Sequence, residues 1–194
     1  MVQTDAVTRL DDPRMLRALA HPVRARILDE LTAQGSLRAA DVAAELDIPA
    51  NQASFHLRQL AKYGLVEEDA GAARDRRDRV WRATSPEGYD VDMQDLESAP
   101  GGRAASRVYR SHTAARAHAL VDAAHGGDRT PGIHRSISQV ALRLDREEAR
   151  QLTTELNEVV DRWAARTRGR DAHRQTYSAY LMVQPYPDGL ESED

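Results

Sequence analysis

At 194 residues, with 41% hydrophobic and 30% charged side chains, the chain has the balance of a soluble globular protein of one or two domains, and a solenoid or a large barrel enzyme is excluded on size. Aromatics make up only 5%, so the core must be built from Leu, Val, Ile and Ala; cysteine is absent, which removes disulfides, thiolate metal sites, CxxC redox chemistry and a cysteine nucleophile. Net charge is −4, with 13 basic and 13 acidic side chains in residues 1–85 and 14 against 18 in residues 86–194, so affinity for nucleic acid can come only from clustering on one face.

All basic residues except Lys62 are arginine, and the abundance of Arg and Ala fits GC-rich coding better than a functional demand. MVQTDAVTRL lacks the apolar run of a signal peptide, and no stretch of about 18 apolar residues occurs, so a cytoplasmic protein with no membrane partner is expected.

In chain order, Met15, Leu16, Ala18 and Leu19 form a short apolar segment. Pro22 then stands where the first turn of a helix tolerates a missing N–H. Val23, Ile27, Leu28 and Leu31 repeat at helical spacing, and Gly35 ends that helix. A short helix follows from Ala39 to Leu46, burying Val42 and Leu46. After Asp47, Ile48 and Pro49 a third helix places Ala53, Leu57, Leu60 and Ala61 on one face and stops at Gly64. LVEED and RVWRAT alternate like strands and flank AGAARDRRD, the tip of a hairpin.

SPEGYDVDMQDLESAPGG, rich in Pro, Gly and acids, predicts a linker over 86–100. An alanine-rich helix is expected from Arg103 to about His125, closed by Gly126 and Gly127. SISQVALRL, with Val140, Leu142 and Leu144 two apart, predicts a strand. Asp145 and Glu148 form a variant capping box for a helix carrying Ala149, Leu152, Leu156, Val159, Val160 and Trp163. TYSAYLMVQ predicts a final strand ended by Pro185 and Pro187, and the acidic tail 188–194 is expected to be disordered. Two short strands make a poor sheet, and a second copy of the chain is the economical source of partners. The expected class is α+β, mainly α: a winged helix-turn-helix over 1–85, the linker, and a helix-strand-helix-strand dimerisation region over 101–187.

Two short helices joined by Asp47 to Pro49 and followed by a basic hairpin have the layout of a winged helix-turn-helix. ALAHPVRARILDEL, LRAADVAAELDIPANQASFHLRQLAKYGLVEED and DRRDRVWRAT together resemble the DNA-binding domain of the ArsR family of bacterial repressors over about residues 14–84, and SFHLRQLAKYGLV resembles that family's recognition helix. The resemblance implies a homodimeric transcriptional repressor that binds double-stranded DNA, reads an inverted repeat with half-sites about one helical turn apart, and answers to a small-molecule effector.

The residues support a matching physical reading. With Ala53, Leu57, Leu60 and Ala61 buried, about 100° of rotation per residue puts Asn51, Phe55, Arg58, Gln59 and Lys62 on the opposite face, flanked by Gln52 and Ser54. Asn51 and Gln52 can pair bidentately with adenine, Arg58 with guanine or phosphate, and Ser54 with either. Phe55, the only phenylalanine, has two readings: contact with a thymine methyl, or packing onto the motif's first helix or the hairpin base. His56 lies toward the buried side, where packing or a phosphate contact fits better than base reading. Arg74, Arg76, Arg77 and Arg79 are either a solvated loop or a wing contacting phosphates or the minor groove. Trp81 reads as structural, and Arg24 and Arg26 as surface charge in preference to backbone contacts.

The sequence departs from the family in three places. The cysteine pair with which many relatives sense metals is replaced by AADVAAEL. His118 and His125 share a helix face but stand roughly 10.5 Å apart along it, too far for one zinc at about 2.1 Å from each nitrogen. One helix cannot chelate with them; partners across a dimer, with Asp122 as a fourth ligand, are the other reading for these histidines and His112, and no metal or other cofactor is expected. Pro49 stands where relatives have a capping Ser or Thr, leaving the first N–H groups to Gln52 or water. The chain also continues past the single dimerising helix of minimal relatives; longer relatives resemble regulators whose added region dimerises and binds a ligand. Tyr109, Trp163, Tyr177 and Tyr180 are the candidate effector pocket, with ordinary core packing as the other reading. No GxSxG, HExxH or GxxxxGK[ST] sequence occurs, and the adjacent pairs Glu67–Glu68 and Glu147–Glu148 diverge on their elements, so no enzyme is expected. The alternative function is a winged-helix protein-interaction module without operator specificity, consistent with the balanced charge of residues 1–85.

Overall fold

The computed structural model describes residues 8–10, 12–73, 79–126, 130–171 and 173–187. β1 (Thr8–Arg9) precedes α1 (Pro13–Leu19), which Asp12 caps by accepting the Arg14 N–H at 2.8 Å. Pro22 opens α2 (Pro22–Gln34), and Gly35, at a φ of +82° that disfavours a side chain, closes it. After β2 (Leu37–Arg38), α3 (Ala39–Leu46) starts with Asp41 reaching back to the Arg38 N–H at 3.0 Å. Asp47, at φ +51°, reverses the chain into α4 (Ala50–Lys62).

The helices converge on Leu16, Ile27, Leu31, Val42, Leu57 and Leu60, all at most 1% exposed. Burying each contributes about 1.5–3 kcal/mol, and this core fixes how α4 is presented. The expected hairpin is present as β3 (Val66–Glu68) and β4 (Val80–Ala83), paired antiparallel with Val66 opposite Ala83. β2 joins the other edge of β4, with Leu37 opposite Trp81, giving the order β2-β4-β3. Trp81 is buried against the helices, as its structural reading required. The hairpin tip, residues 74–78, and the tail 188–194 lie outside the described residues.

Residues 86–100 are more ordered than a linker. β5 (Tyr89–Asp90) pairs in parallel with β1, and α5 (Met93–Ser98) is capped by Asp92, whose carboxylate accepts from Gln94 N–H at 3.0 Å and Asp95 N–H at 3.1 Å. One buried residue, Leu96, anchors α5 to the core. α6 (Gly102–His125) buries only Gly102, Ala105 and Ser106 in its first turns, and further along Arg116 pairs with Asp29 of α2.

α7 (Arg146–Thr167) begins with the expected capping box: Asp145 accepts from Glu147 N–H at 2.8 Å and Glu148 N–H at 2.9 Å, while Glu148 accepts the Asp145 N–H at 2.8 Å. The two strands expected around α7 are absent as ladders; residues 136–144 and 176–184 are neither helix nor strand in the single chain. A strand is defined by a hydrogen-bonded neighbour, and among the described residues this chain supplies none to either segment. The helical part of the expected C-terminal architecture is present, and the sheet is not formed within one protomer.

Candidate nucleic-acid interface

α4 divides as its periodicity dictates. Ala53, His56, Leu57 and Leu60 are buried; Asn51, Gln52, Phe55, Arg58 and Lys62 are exposed; Ser54 and Gln59 lie half-buried between them. At about 1.5 Å per residue the 13-residue helix is long enough to lie in a major groove about 12 Å wide.

Its N-terminus is managed without a capping hydroxyl. The Pro49 carbonyl accepts from Gln52 N–H at 2.9 Å and Ala53 N–H at 3.0 Å, and the Asn51 side-chain oxygen accepts the Gln52 N–H at 3.0 Å. Asn51, and not Gln52 as expected, therefore lends its side chain to the helix end. Among the described residues no hydrogen bond engages the Gln52 amide, leaving it available to a base edge.

His56 is a correction to the candidate contact set. It is only 5% exposed and lies on the stripe shared by Ala53, Leu57 and Leu60, so its side chain faces the body instead of the outer surface. Its ring meets that of His21, at the start of α2, at a centroid distance of 4.7 Å. Neither Nδ1 atom has a hydrogen-bond partner among the described residues. Burial pushes the pKa of both imidazoles down, assisted at His21 by Arg24 and His112 and at His56 by His21 and Arg24. Phe55 keeps 49% of its surface exposed, its ring edge-on to His56 at 5.4 Å.

The hairpin stands beside this face. Ala39, Ser54, Arg58, Arg79 and Trp81 line a shallow cleft of about 160 Å³ that brings Arg58 and Arg79 to one side of the molecule. Arg79 lies 3.5 Å from Glu68, and Arg82 is paired more tightly with Glu67 at 2.6 Å. Arg74, Arg76 and Arg77 lie outside the described residues. Arg24 is more than surface charge, because it donates to the carbonyls of Ala18 at 2.6 Å and Arg17 at 2.8 Å and so ties α1 to α2.

The four candidate effector residues do not meet. Tyr109 packs against the N-terminal core, while Trp163, Tyr177 and Tyr180 are each more than half exposed. The cleft against α7, of about 190 Å³, is lined instead by Thr153, Leu156, Asn157, Leu181 and Val183. Aromatic identity alone could not place these side chains together. Among the described residues no group of three or more His, Asp or Glu is arranged to hold a metal.

A helical body with α3 and α4 joined by a tight turn and flanked by a β-hairpin is a winged helix-turn-helix. Residues 19–69, from the end of α1 through β3, match the helix-turn-helix domain family, which bears out the reading of this segment. Solved structures similar to the chain include a possible transcriptional regulatory protein (fragment 1–100) from Mycobacterium bovis, 24% identical, covering 56% of this chain and 88% of that one at a TM-score of 0.33. Another is a homodimeric winged helix-turn-helix DNA-binding domain from Mycobacterium bovis, described as a possible ArsR-family transcriptional regulator; it is 23% identical and covers 62% of this chain and 85% of its own at a TM-score of 0.33. A third, ZitR from Lactococcus lactis, is 16% identical, with 74% and 83% covered and a TM-score of 0.35. No curated protein matches the chain. No helix among the described residues is long and apolar enough to cross a membrane.

Proposed function

We propose that this protein is a sequence-specific DNA-binding regulator of transcription, a repressor that acts as a homodimer on an inverted-repeat operator. The observation that carries the reading is the outer face of α4: Asn51, Gln52, Phe55, Arg58 and Lys62 stand exposed together on a helix whose opposite face is locked into the core. The exposed set supplies an amide for adenine, a guanidinium for guanine or phosphate and an aromatic surface for a thymine methyl. Arg79 extends it toward the wing, and Arg74, Arg76 and Arg77 on the same hairpin are the proposed phosphate or minor-groove contacts.

Selection of bound sequences from random duplex DNA, followed by affinity measurements across salt concentrations, tests the proposal. A palindromic consensus is expected, with log affinity falling against log salt at a slope of about −0.9 for each phosphate neutralised. Repeating the selection with candidate metals and small molecules reports any effector. No selected sequence, or a flat salt response, would favour a protein-interaction module built on the same fold.

A further inference from the structure

The inner side of α4 carries a polar contact that DNA binding does not use. His56 meets His21, the residue that opens α2, with ring centroids 4.7 Å apart and ring planes tilted by 48°. The Nδ1 atoms of both rings are buried and have no hydrogen-bond partner among the described residues. Arg24 stands beside them on α2, its guanidinium fixed by the carbonyls of Ala18 and Arg17.

This setting accepts a neutral pair and rejects a charged one. An imidazolium donates from both ring nitrogens, so protonating either ring turns a buried Nδ1 into a donor with no acceptor. Among the described residues the charged and titratable groups acting on the pair are Arg24, from α2, and His112, from α6, and Tyr63, at the end of α4, acts in turn on Arg24. Arg24 and His112 are both basic, so neither supplies the negative charge that a buried cation requires.

We propose that His21 and His56 form a proton-binding switch beneath the DNA-facing helix: the neutral pair holds α4 docked on α2, and uptake of a proton parts the rings and withdraws α4 from the position in which its outer face meets DNA. Phe55 carries the movement outward, because its ring lies edge-on to His56 at 5.4 Å while about half of its surface is exposed on that outer face. DNA selects the docked state and the proton the parted one, so each weakens the other's binding by the same factor. The sign separates the switch from a phosphate contact by His56, which would gain charge on acidification and bind DNA more tightly. The inference rests on the regulator reading for its output; the site itself does not need DNA.

The test follows the full chain from about pH 8 to about pH 5, across the ordinary histidine value, at fixed salt. Affinity for the selected duplex should hold above about pH 6.5 and then fall, approaching about tenfold per pH unit for each proton released on binding. His21→Gln should reduce that slope, and His21→Gln combined with His56→Gln should flatten it, whereas His118→Gln, at an exposed position on α6, should leave it intact. NMR without DNA gives the second readout: the two rings should titrate below that of His118, and the α4 amide signals should shift with the same midpoint. If the double variant does not fold, the His21→Gln slope and these titrations decide. Affinity that is flat or rises on acidification, a fall that persists in the double variant, or loss of far-UV circular dichroism over the same range overturns the proposal. A chain that selects no duplex refutes the regulator reading, and the switch then stands if the α4 signals move with the ring titrations and fails if they do not.

Discussion

Arg58 is the side chain whose removal the structure weights most heavily. It is exposed in the middle of α4, lines the cleft shared with Arg79, and forms no ion pair among the described residues. Arg82 is a natural control, since its guanidinium already sits 2.6 Å from Glu67 and its charge is largely compensated. A bidentate contact from Arg58 to guanine is worth about 1–3 kcal/mol, so Arg58→Ala should weaken operator binding by about 5- to 150-fold and relax preference at one base position. A phosphate contact would instead weaken all sequences alike and reduce the salt slope by about 1. Arg82→Ala should change affinity by less than about fivefold, the upper end of the range of an exposed ion pair. Fluorescence anisotropy with the selected duplex and a scrambled one, at three salt concentrations, separates these cases. Equal losses for the two variants, or none for Arg58→Ala, would refute the assignment of the α4 outer face.

The remaining predictions concern stability. His21 and His56 have pKa values depressed by burial, so below the unfolded value of about 6.5 the unfolded chain binds more protons than the folded one. Their contribution is complete above that pH and is lost as pH falls through the lower folded values; a urea midpoint unchanged from pH 7.5 to 5 would contradict it. Leu57→Ala empties a fully buried position behind the α4 face and should cost about 2–5 kcal/mol, read from urea unfolding. Gly102→Ala would place a Cβ 1.7 Å from the Leu96 carbonyl oxygen, so the α5–α6 corner must shift, at a cost of about 1–3 kcal/mol or more in the same assay.

The N-terminal helices are legible in the sequence because their punctuation is local. Pro22 and Gly35 bracket α2, and the spacing of Ala53, Leu57 and Leu60 sets the roll of α4. That spacing already includes His56, three residues after Ala53 and four before Leu60; its polar type draws it toward the DNA-facing set, but position outweighs type. α5 escapes a sequence reading because it hangs on a single leucine, Leu96, inside a stretch whose composition suits a loop. Alternation in 136–144 and 176–184 reports a strand tendency and says nothing about the partner's location, which is a tertiary fact. The contacts between the two halves leave no sequence signal, because each joins residues far apart in the chain.

Those contacts determine what a rearrangement of the second half would do to the first. Beyond α7, the Gly169 N–H donates to the Ala33 carbonyl at 3.3 Å, Arg170 pairs with Asp41 at 2.9 Å, and the Thr176 hydroxyl donates to Glu30 at 2.6 Å. Glu30 is fully buried on α2, where it also holds Arg26 at 2.5 Å and Gln34 at 2.9 Å. Asp41 caps α3, its carboxyl held well below the usual range first by the Arg38 side chain and further by Arg170. The segment leaving α7 therefore grips the end of α2 and the start of α3, the two helices against which α4 packs. Withdrawing Thr176 leaves a buried carboxylate short of a donor, at a cost of about 1–3 kcal/mol, whereas parting Arg170 from Asp41 costs about 0–1 kcal/mol at a half-exposed site. These contacts tie the segment after α7 to the helices that support α4, and buried Glu30, which holds Thr176, Arg26 and Gln34 together, is the point on α2 where they meet.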